Sequence, residues 1–389
     1  MDNMNEFYIL NEPEGNPNIP KYWSHSQLEE MRTCPKKWWL LRAKYPNIKG
    51  EYPRYFTLHM LHGIILHKTL ENFGRYAKKQ ANYELARSSF RIRSTIQAEI
   101  RELLEYESSV NPRFKKSYLK SLLCIDDCIN NFKQIISQVE NVFISNVNYQ
   151  YNASPTPTAK LPIKGHEVTI YVECPPIVGR IDFLNDGRII DFKSGAPDSA
   201  YESQLQFYGL LYWLKTGHLP SSLEIVFSNH AHATYNNLLS IEKLTSLRDE
   251  VEEEIINIEE SIQLGLPEAN IRGDQCEYCP CRQNCDEYWI YLNKESQVIE
   301  LNKDKLEPFW IDTEIIGLPN SWQGFGSCNG IGQSQQLGEV YLNIEPDKCP
   351  DRLDNSCPVG ARILGAKLRY ETNRWYLKTA LFTEVFWIY

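Results

Sequence analysis

An α/β fold, with a mixed sheet flanked by helices and a smaller β-rich domain after it, is predicted by three observations. Apolar residues recur at helical spacing from about Leu58 to Phe143. A two-strand hairpin at Val178–Gly195 is followed by an amphipathic helix and another strand. The last stretch, from Ala361 to Tyr389, alternates as strands do. Three segments are expected: a loose lead-in over 1–20, a main domain over 21–294 and a β-rich C-terminal domain over 295–389.

The 389 residues suffice to bury a sizeable core, and 42% hydrophobic with 12% aromatic content fits a folded protein. A net charge of −9 excludes a coat of positive charge for non-specific nucleic-acid binding. The opening MDNMNEFYIL does not read as a secretory signal, and no run of about 18 apolar residues predicts a membrane span. Eleven cysteines without an export signal imply reduced thiols or metal ligands and a cytoplasmic location.

Taken in order, WSHSQLEEMRTCPKKWWLL opens a short helix, with Ser26 and Glu29 as the expected capping box. HMLHGIILHKTLENF and SLLCIDDCINNFKQIISQVENVF are helical, and Cys124 and Cys128 suit small buried positions. Asn152–Pro162 is a connection, and HEVTIYVE is a strand. After the hairpin, DSAYESQLQFYGLLYWLK is a helix and SLEIVFSNH a strand; His230 and His232 read as surface or packing residues. The acidic helix from Ile241 stops at Gly265. Asn320–Gly338 has the composition of a long loop, and the final hairpin turns near Thr372-Asn373.

The hairpin carries the chemistry. Asp186-Gly187 suits a type I′ turn, which pairs Asn185 with Arg188. Counting back along both strands places Asp182 opposite Asp191, on one face with Lys193. Cβ atoms of such a pair lie about 5 Å apart, and facing carboxylates repel. A divalent cation with a taste for hard oxygen ligands, Mg²⁺ or Mn²⁺, relieves that repulsion. Ile181, Phe183, Ile190 and Phe192 occupy the opposite, core-facing side.

This Asp, spacer, Asp-x-Lys pattern resembles the core of PD-(D/E)XK phosphodiesterases, which have a restriction-endonuclease-like mixed sheet. His67 before the first Asp, and Gln204 with Tyr208 after the Lys, make the order similar to the RecB-like branch. The resemblance implies that His67 joins Asp182, Asp191 and the main-chain carbonyl of Phe192 as a metal ligand, with His62 as the alternative histidine. It also implies that Lys193 is catalytic and that Gln204 and Tyr208 flank the site and contact DNA. Arg180 shares the catalytic face, where a phosphate contact and a salt bridge are equally open.

Cys276, Cys279 and Cys285 form C-x2-C-x5-C, and Cys34 stands far upstream. One cysteine before the core and three after it resembles the iron–sulfur members of this branch, among them a CRISPR adaptation nuclease and recombination helicase–nuclease domains. A [4Fe–4S] cluster is thereby implied, with zinc as the rival and Cys281 as an extra thiol. The implied activity is Mg²⁺- or Mn²⁺-dependent DNA cleavage in repair, CRISPR adaptation or phage defence. The other reading is a non-catalytic DNA-binding or scaffolding module. No Walker string is present, so any helicase activity belongs to a partner or defence complex. Arg362, Lys367, Arg369, Arg374 and Lys378 interleave with Tyr370, Trp375 and Tyr376. They are expected either to form a sheet or small barrel holding single-stranded DNA, or to serve only as ordinary strand residues.

Overall fold

In the computed structural model, which describes residues 6–80, 83–148, 165–185, 187–230, 232–265, 267–294, 307–350 and 357–389, the first elements are β1 (Trp23–Ser24) and α1 (His25–Thr33). The capping box lies two residues earlier than the sequence reading has it. Ser24 Oγ accepts the Gln27 amide at 3.3 Å, and Gln27 Oε1 accepts the Ser24 amide at 2.9 Å. Glutamine serves the reciprocal role as well as glutamate does, so the earlier Ser-x-x-Gln wins. Next come α2 (Pro35–Leu40), α3 (Leu58–Gln80), α4 (Tyr83–Ser89), α5 (Ile92–Val110), α6 (Lys116–Leu122) and α7 (Ile125–Asn148). Cys128 is buried on α7, whereas Cys124 precedes the helix and is exposed, so only one of the pair is a core residue.

The chain divides into two units, one of Ile19–Glu29 and Tyr55–Glu260 and one of Met1–Asn18, Glu30–Arg54 and Ser261–Tyr389. The first holds a mixed sheet built by β2 (Gly165–Glu173), β3 (Pro176–Asn185), β4 (Arg188–Lys193), β5 (Ser222–Phe227) and β6 (Ala233–Thr234), together with β1. Helix α8 (Ala200–Thr216) crosses from β4 to the parallel β5, and α9 (Ile241–Leu264) follows β6. The predicted register is present: Asn185 pairs with Arg188, and Gly187 sits at φ +80°, where glycine is at ease. Asp186 lies outside the described residues, as does the connection at 152–162.

One edge of β3 is shared. β1 pairs with Ile177 and Val178, β4 pairs from Phe183 to Asn185, and Gly179–Asp182 has neither as a ladder partner. On the far side of the sheet, Phe183, Ile190, Phe192 and Val226 pack with Leu66, Leu70 and Phe73 of α3 and with Phe132, Ile135 and Ile136 of α7. Burying each such side chain contributes about 1.5–3 kcal/mol, which fixes α3 across the strands. On the near side α8 approaches closely at Gly179, where a Cβ would stand 2.4 Å from Leu211 Cδ1.

The second unit contains α2, α10 (Gly273–Glu277), α11 (Asp286–Lys294) and six strands: β7 (Phe309–Gly317), β8 (Cys328–Ser334), β9 (Gly338–Ile344), β10 (Gly360–Glu371), β11 (Arg374–Lys378) and β12 (Glu384–Ile388). β8 lies inside the stretch expected as a loop. Its inward positions are small, and Gly332 lets β9 and Gly317 close in: a Cβ there would meet Leu342 Cδ1 at 2.7 Å and the Gly317 carbonyl at 2.8 Å. The final hairpin turns at Thr372-Asn373 as predicted, both with positive φ. Residues from Glu6, expected as a loose lead-in, are docked: Phe7 is buried against Phe386, and Ile9 bridges to Trp387.

A carboxylate cluster and its lysine

Past Phe183 and Ile190 the ladder between β3 and β4 opens, and a side chain takes its place: Asp182 Oδ2 accepts the Phe192 amide at 2.8 Å. Asp182 is thus fastened beside Asp191, which is 2% exposed. Lys193 Nζ stands 2.7 Å from Asp191 Oδ2. The contact is a close ion pair between a buried carboxylate and a half-buried ammonium. Lys193 also donates to Gln204 Oε1 at 3.0 Å and lies over the Tyr201 ring, 4.9 Å from its centroid.

Helix α3 delivers the histidine. Gly63 backs onto Ser194, and one turn later His67 Nδ1 lies 3.3 Å from Asp182 Oδ1. His62 instead has Asp127 and His59 as its charged neighbours, so His67 is the histidine at the carboxylates. A third carboxylate, which the sequence reading missed, completes the group. Glu167 Oε1 is 4.0 Å from His67 Nδ1, and His67, Glu167 and Asp182 each offer a ligand atom within 4.8 Å of the others. Glu167 sits at φ +52°, a left-handed conformation uncommon outside glycine and often associated with function. The signal was present: Glu173 pairs with Pro176 across the tight turn, and counting back puts Glu167 opposite Asp182.

Electrostatics follow from crowding anions in a dry place. Burial and the Asp182 charge push Asp191 up to about 7, against the pull of Lys193. Burial also resists ionisation of Asp182, but His67, the Phe192 amide and Lys193 outweigh it and hold this carboxyl below its ordinary value. For His67 burial again opposes charge, and Asp182, Asp191 and Glu167 overcome it to push the imidazole up to about 9. Glu167 is raised by burial and by Asp182. The group therefore holds a proton on His67 and favours one on Asp191 where a divalent cation would discharge the same repulsion. Oxygen ligands plus one imidazole suit Mg²⁺ or Mn²⁺.

The model of one protein family, the PD-(D/E)XK nuclease superfamily, matches residues 22–286. The chain belongs to that superfamily. No match is found among curated proteins or among solved structures. Asp182, Asp191 and Lys193 lie on the adjacent strands β3 and β4 within the matched residues.

The remaining predicted residues fall differently. Gln204 Nε2 donates to the Tyr208 hydroxyl at 2.8 Å, and Tyr208 is only 7% exposed. Its ring packs against Gly179, and its hydroxyl orients Gln204, which in turn accepts from Lys193. Arg180 bridges to Glu167 with its side chain 61% exposed, the salt-bridge alternative. His230 edges onto Phe227, and His232 Nε2 pairs with buried Glu224 at 2.9 Å, as structural histidines do.

In the second unit, Cys34 caps α2, its Sγ accepting the Lys37 amide at 3.4 Å. The α10–α11 segment carries Cys276, Cys279, Cys281 and Cys285. Cys281 Sγ is 3.5 Å from Cys279 Sγ and 3.9 Å from the carbonyl of Lys37 in α2, the helix that Cys34 caps. Its hydrogen bond with Cys281 lowers Cys279 to about 7, while burial raises Cys285 to about 12. Among the described residues no three of these sulfurs lie within 4.8 Å of one another. No described helix is long and apolar enough to cross a membrane.

Proposed function

We propose that the protein is a Mg²⁺- or Mn²⁺-dependent deoxyribonuclease of the RecB-like branch. The observation that carries this reading is the buried Asp182–Asp191 pair, flanked by His67 and Glu167 and with Lys193 2.7 Å from Asp191. His67, Asp182 and Asp191 with the Phe192 carbonyl would hold the cation, and Glu167 extends that set. A bound cation supplies Lewis acidity toward a phosphoryl oxygen and lowers the pKa of water.

The chain's own residues do the rest. Lys193, kept charged by Asp191 and Asp182, presents a fixed ammonium to the charge that grows on the phosphate. Tyr208 through Gln204 holds that ammonium in one rotamer. Arg180 and Gln204 are proposed to contact the DNA backbone. Cys34, Cys276, Cys279 and Cys285 are proposed to ligate a [4Fe–4S] cluster, with Cys281 engaged by the Lys37 carbonyl instead. Zinc is the rival occupant of these thiolates, and the iron content of the purified protein separates the two.

We assign residues 21–294 to the nuclease domain and 295–389 to a separate C-terminal domain. Roles in repair, CRISPR adaptation or phage defence, with a helicase or other protein partner, follow the branch. The test is titration of the anaerobically purified protein with Mn²⁺, alongside cleavage of end-labelled single- and double-stranded DNA. Stoichiometric binding that Asp182→Ala abolishes, with cation-dependent cleavage, is expected. Cleavage unaffected by chelation counts against the reading.

A further inference from the structure

The C-terminal strands form a closed structure with an address of its own. β7, β8 and β9 run as an antiparallel meander, β9 pairs in parallel with β11, β11 pairs with β10, and β10 returns to β7. Five strands thereby close into a barrel, with β12 beside the first half of β10. The interior is apolar, filled by Ile315, Val340, Leu342, Leu368, Trp375 and Leu377. Meander, parallel closure and return hairpin make the connectivity of the Greek-key barrel that binds oligonucleotides and oligosaccharides on its second and third strands. Topology alone names no ligand; the outer residues do.

Strand register lines those residues into two rows. In the first, Ile331 of β8 faces Tyr341 of β9, Tyr341 faces Tyr376 of β11, and Tyr376 faces Arg369 of β10. The two tyrosine rings lie 5.6 Å apart, and Arg369 stands over Tyr376 at 5.7 Å. In the second, Asn329 faces Asn343, Asn343 faces Lys378, Lys378 faces Lys367, and Lys367 faces Trp310 of β7. Trp310 is 55% exposed, with Lys367 over its ring at 5.2 Å.

Two features of this face go beyond what the barrel's own packing needs. Lys367 and Lys378 are directly opposed, an arrangement that destabilises a strand pair, and among the described residues neither has a carboxylate at ion-pair distance. Rings that would pack as well inside are instead on the outside of a chain whose net charge is −9. The acids on this face, Glu339 and Glu371, are matched by Arg374 and Arg369, which leaves the lysine pair as surplus positive charge. Cations for phosphates beside rings for bases are the two components of a single-strand platform.

We infer that the outer face of β8, β9, β11, β10 and β7 binds single-stranded nucleic acid, with bases stacking on Tyr341, Tyr376 and Trp310 and phosphates passing Lys367 and Lys378. The structure also sorts the basic and aromatic residues of this region. Arg362 is spent on Glu314 and Asp286, and Trp375 is in the barrel core, so neither belongs to the face. The inference concerns binding and stands apart from the nuclease reading.

The test uses the full chain carrying Asp191→Asn, in EDTA, with fluorescein-labelled oligo-dT, oligo-U and a mixed-sequence duplex. Anisotropy should show oligo-dT and oligo-U binding within a few-fold of each other, because rings and charges here read neither sugar, and the duplex binding at least about tenfold more weakly. Tyr341→Ala with Tyr376→Ala should weaken oligo-dT binding by about tenfold or more. Lys367→Ala with Lys378→Ala should reduce the slope of log affinity against log salt by about 1.4, two contacts at roughly 0.7 each. All four positions are on the outer face, and circular dichroism verifies that the variants fold. Absent binding at low salt, or wild-type affinity and slope in both folded double variants, overturns the inference.

Discussion

Replacing Asp191 by Asn should stabilise the cation-free protein while removing its function. Asp191 is 2% exposed and pushed up to about 7 by burial and by Asp182, against an ordinary value of 3.8. Between about pH 4 and pH 7 the folded state keeps a proton that the unfolded chain has lost. Stability therefore falls as pH rises through this window, and above it the full penalty is present. A difference of about three pKa units corresponds to about 4 kcal/mol, an upper bound for what ionised Asp191 costs at pH 8. Asparagine keeps the shape of the protonated acid and escapes that cost, and Lys193 retains Gln204. His67, raised to about 9 in part by Asp191, adds a further fall above its unfolded pKa of about 6.5, and that fall is smaller in the variant, which lacks the Asp191 charge. Chemical unfolding in EDTA should show an Asp191→Asn advantage that is small near pH 4 and grows to pH 7. With Mn²⁺ at 100 times its dissociation constant, the wild type recovers about 2.7 kcal/mol through binding and the variant little. A variant less stable than wild type at pH 8 in EDTA would refute the electrostatic reasoning.

Lys193→Met should abolish cleavage yet leave Mn²⁺ binding, measured by calorimetry, within about tenfold of wild type, because the lysine is placed beside the ligands and not among them. Glu167→Gln should weaken Mn²⁺ by about tenfold or more in the same titration and release Arg180. Cys34→Ser should lose the visible absorbance and iron content of the anaerobically purified protein, while Cys281→Ser keeps most of the iron. Glu224 is held down to about 2: burial resists its ionisation, but His232, Arg188 and Ser222 outweigh that. Its contribution, about 3 kcal/mol, is present above pH 4.5 and lost as pH falls toward 2. Glu224→Gln should flatten acid unfolding in that range.

How much of this was legible in the chain depended on whether local chemistry fixed the geometry. A two-residue turn sets register without tertiary help, so Asn185–Arg188 and the side shared by Asp182, Asp191 and Lys193 followed from counting. The same count from Glu173–Pro176 reaches Glu167, but the turn at Cys174-Pro175 lacks the Asp-Gly signature, and the third carboxylate went unseen. β8 was hidden because Gly, Ser and Gln usually mark loops; here they allow tight interstrand packing that only the fold reveals. Tyr208 reads as an accessible ring on an amphipathic helix until α8 is seen pressed on Gly179. The closure of the barrel depends on β10 meeting β7 and β11 meeting β9, contacts too distant in sequence for periodicity to announce.

The carboxylates around Asp182 and Asp191 should work as a cation-dependent phosphodiesterase site. Cleavage of labelled DNA by wild type and Asp191→Asn, side by side in Mg²⁺, Mn²⁺ and EDTA, is the decisive comparison. Products are expected only for wild type and only with the cations. Equal cleavage by the two proteins, or undiminished cleavage in EDTA, would contradict it.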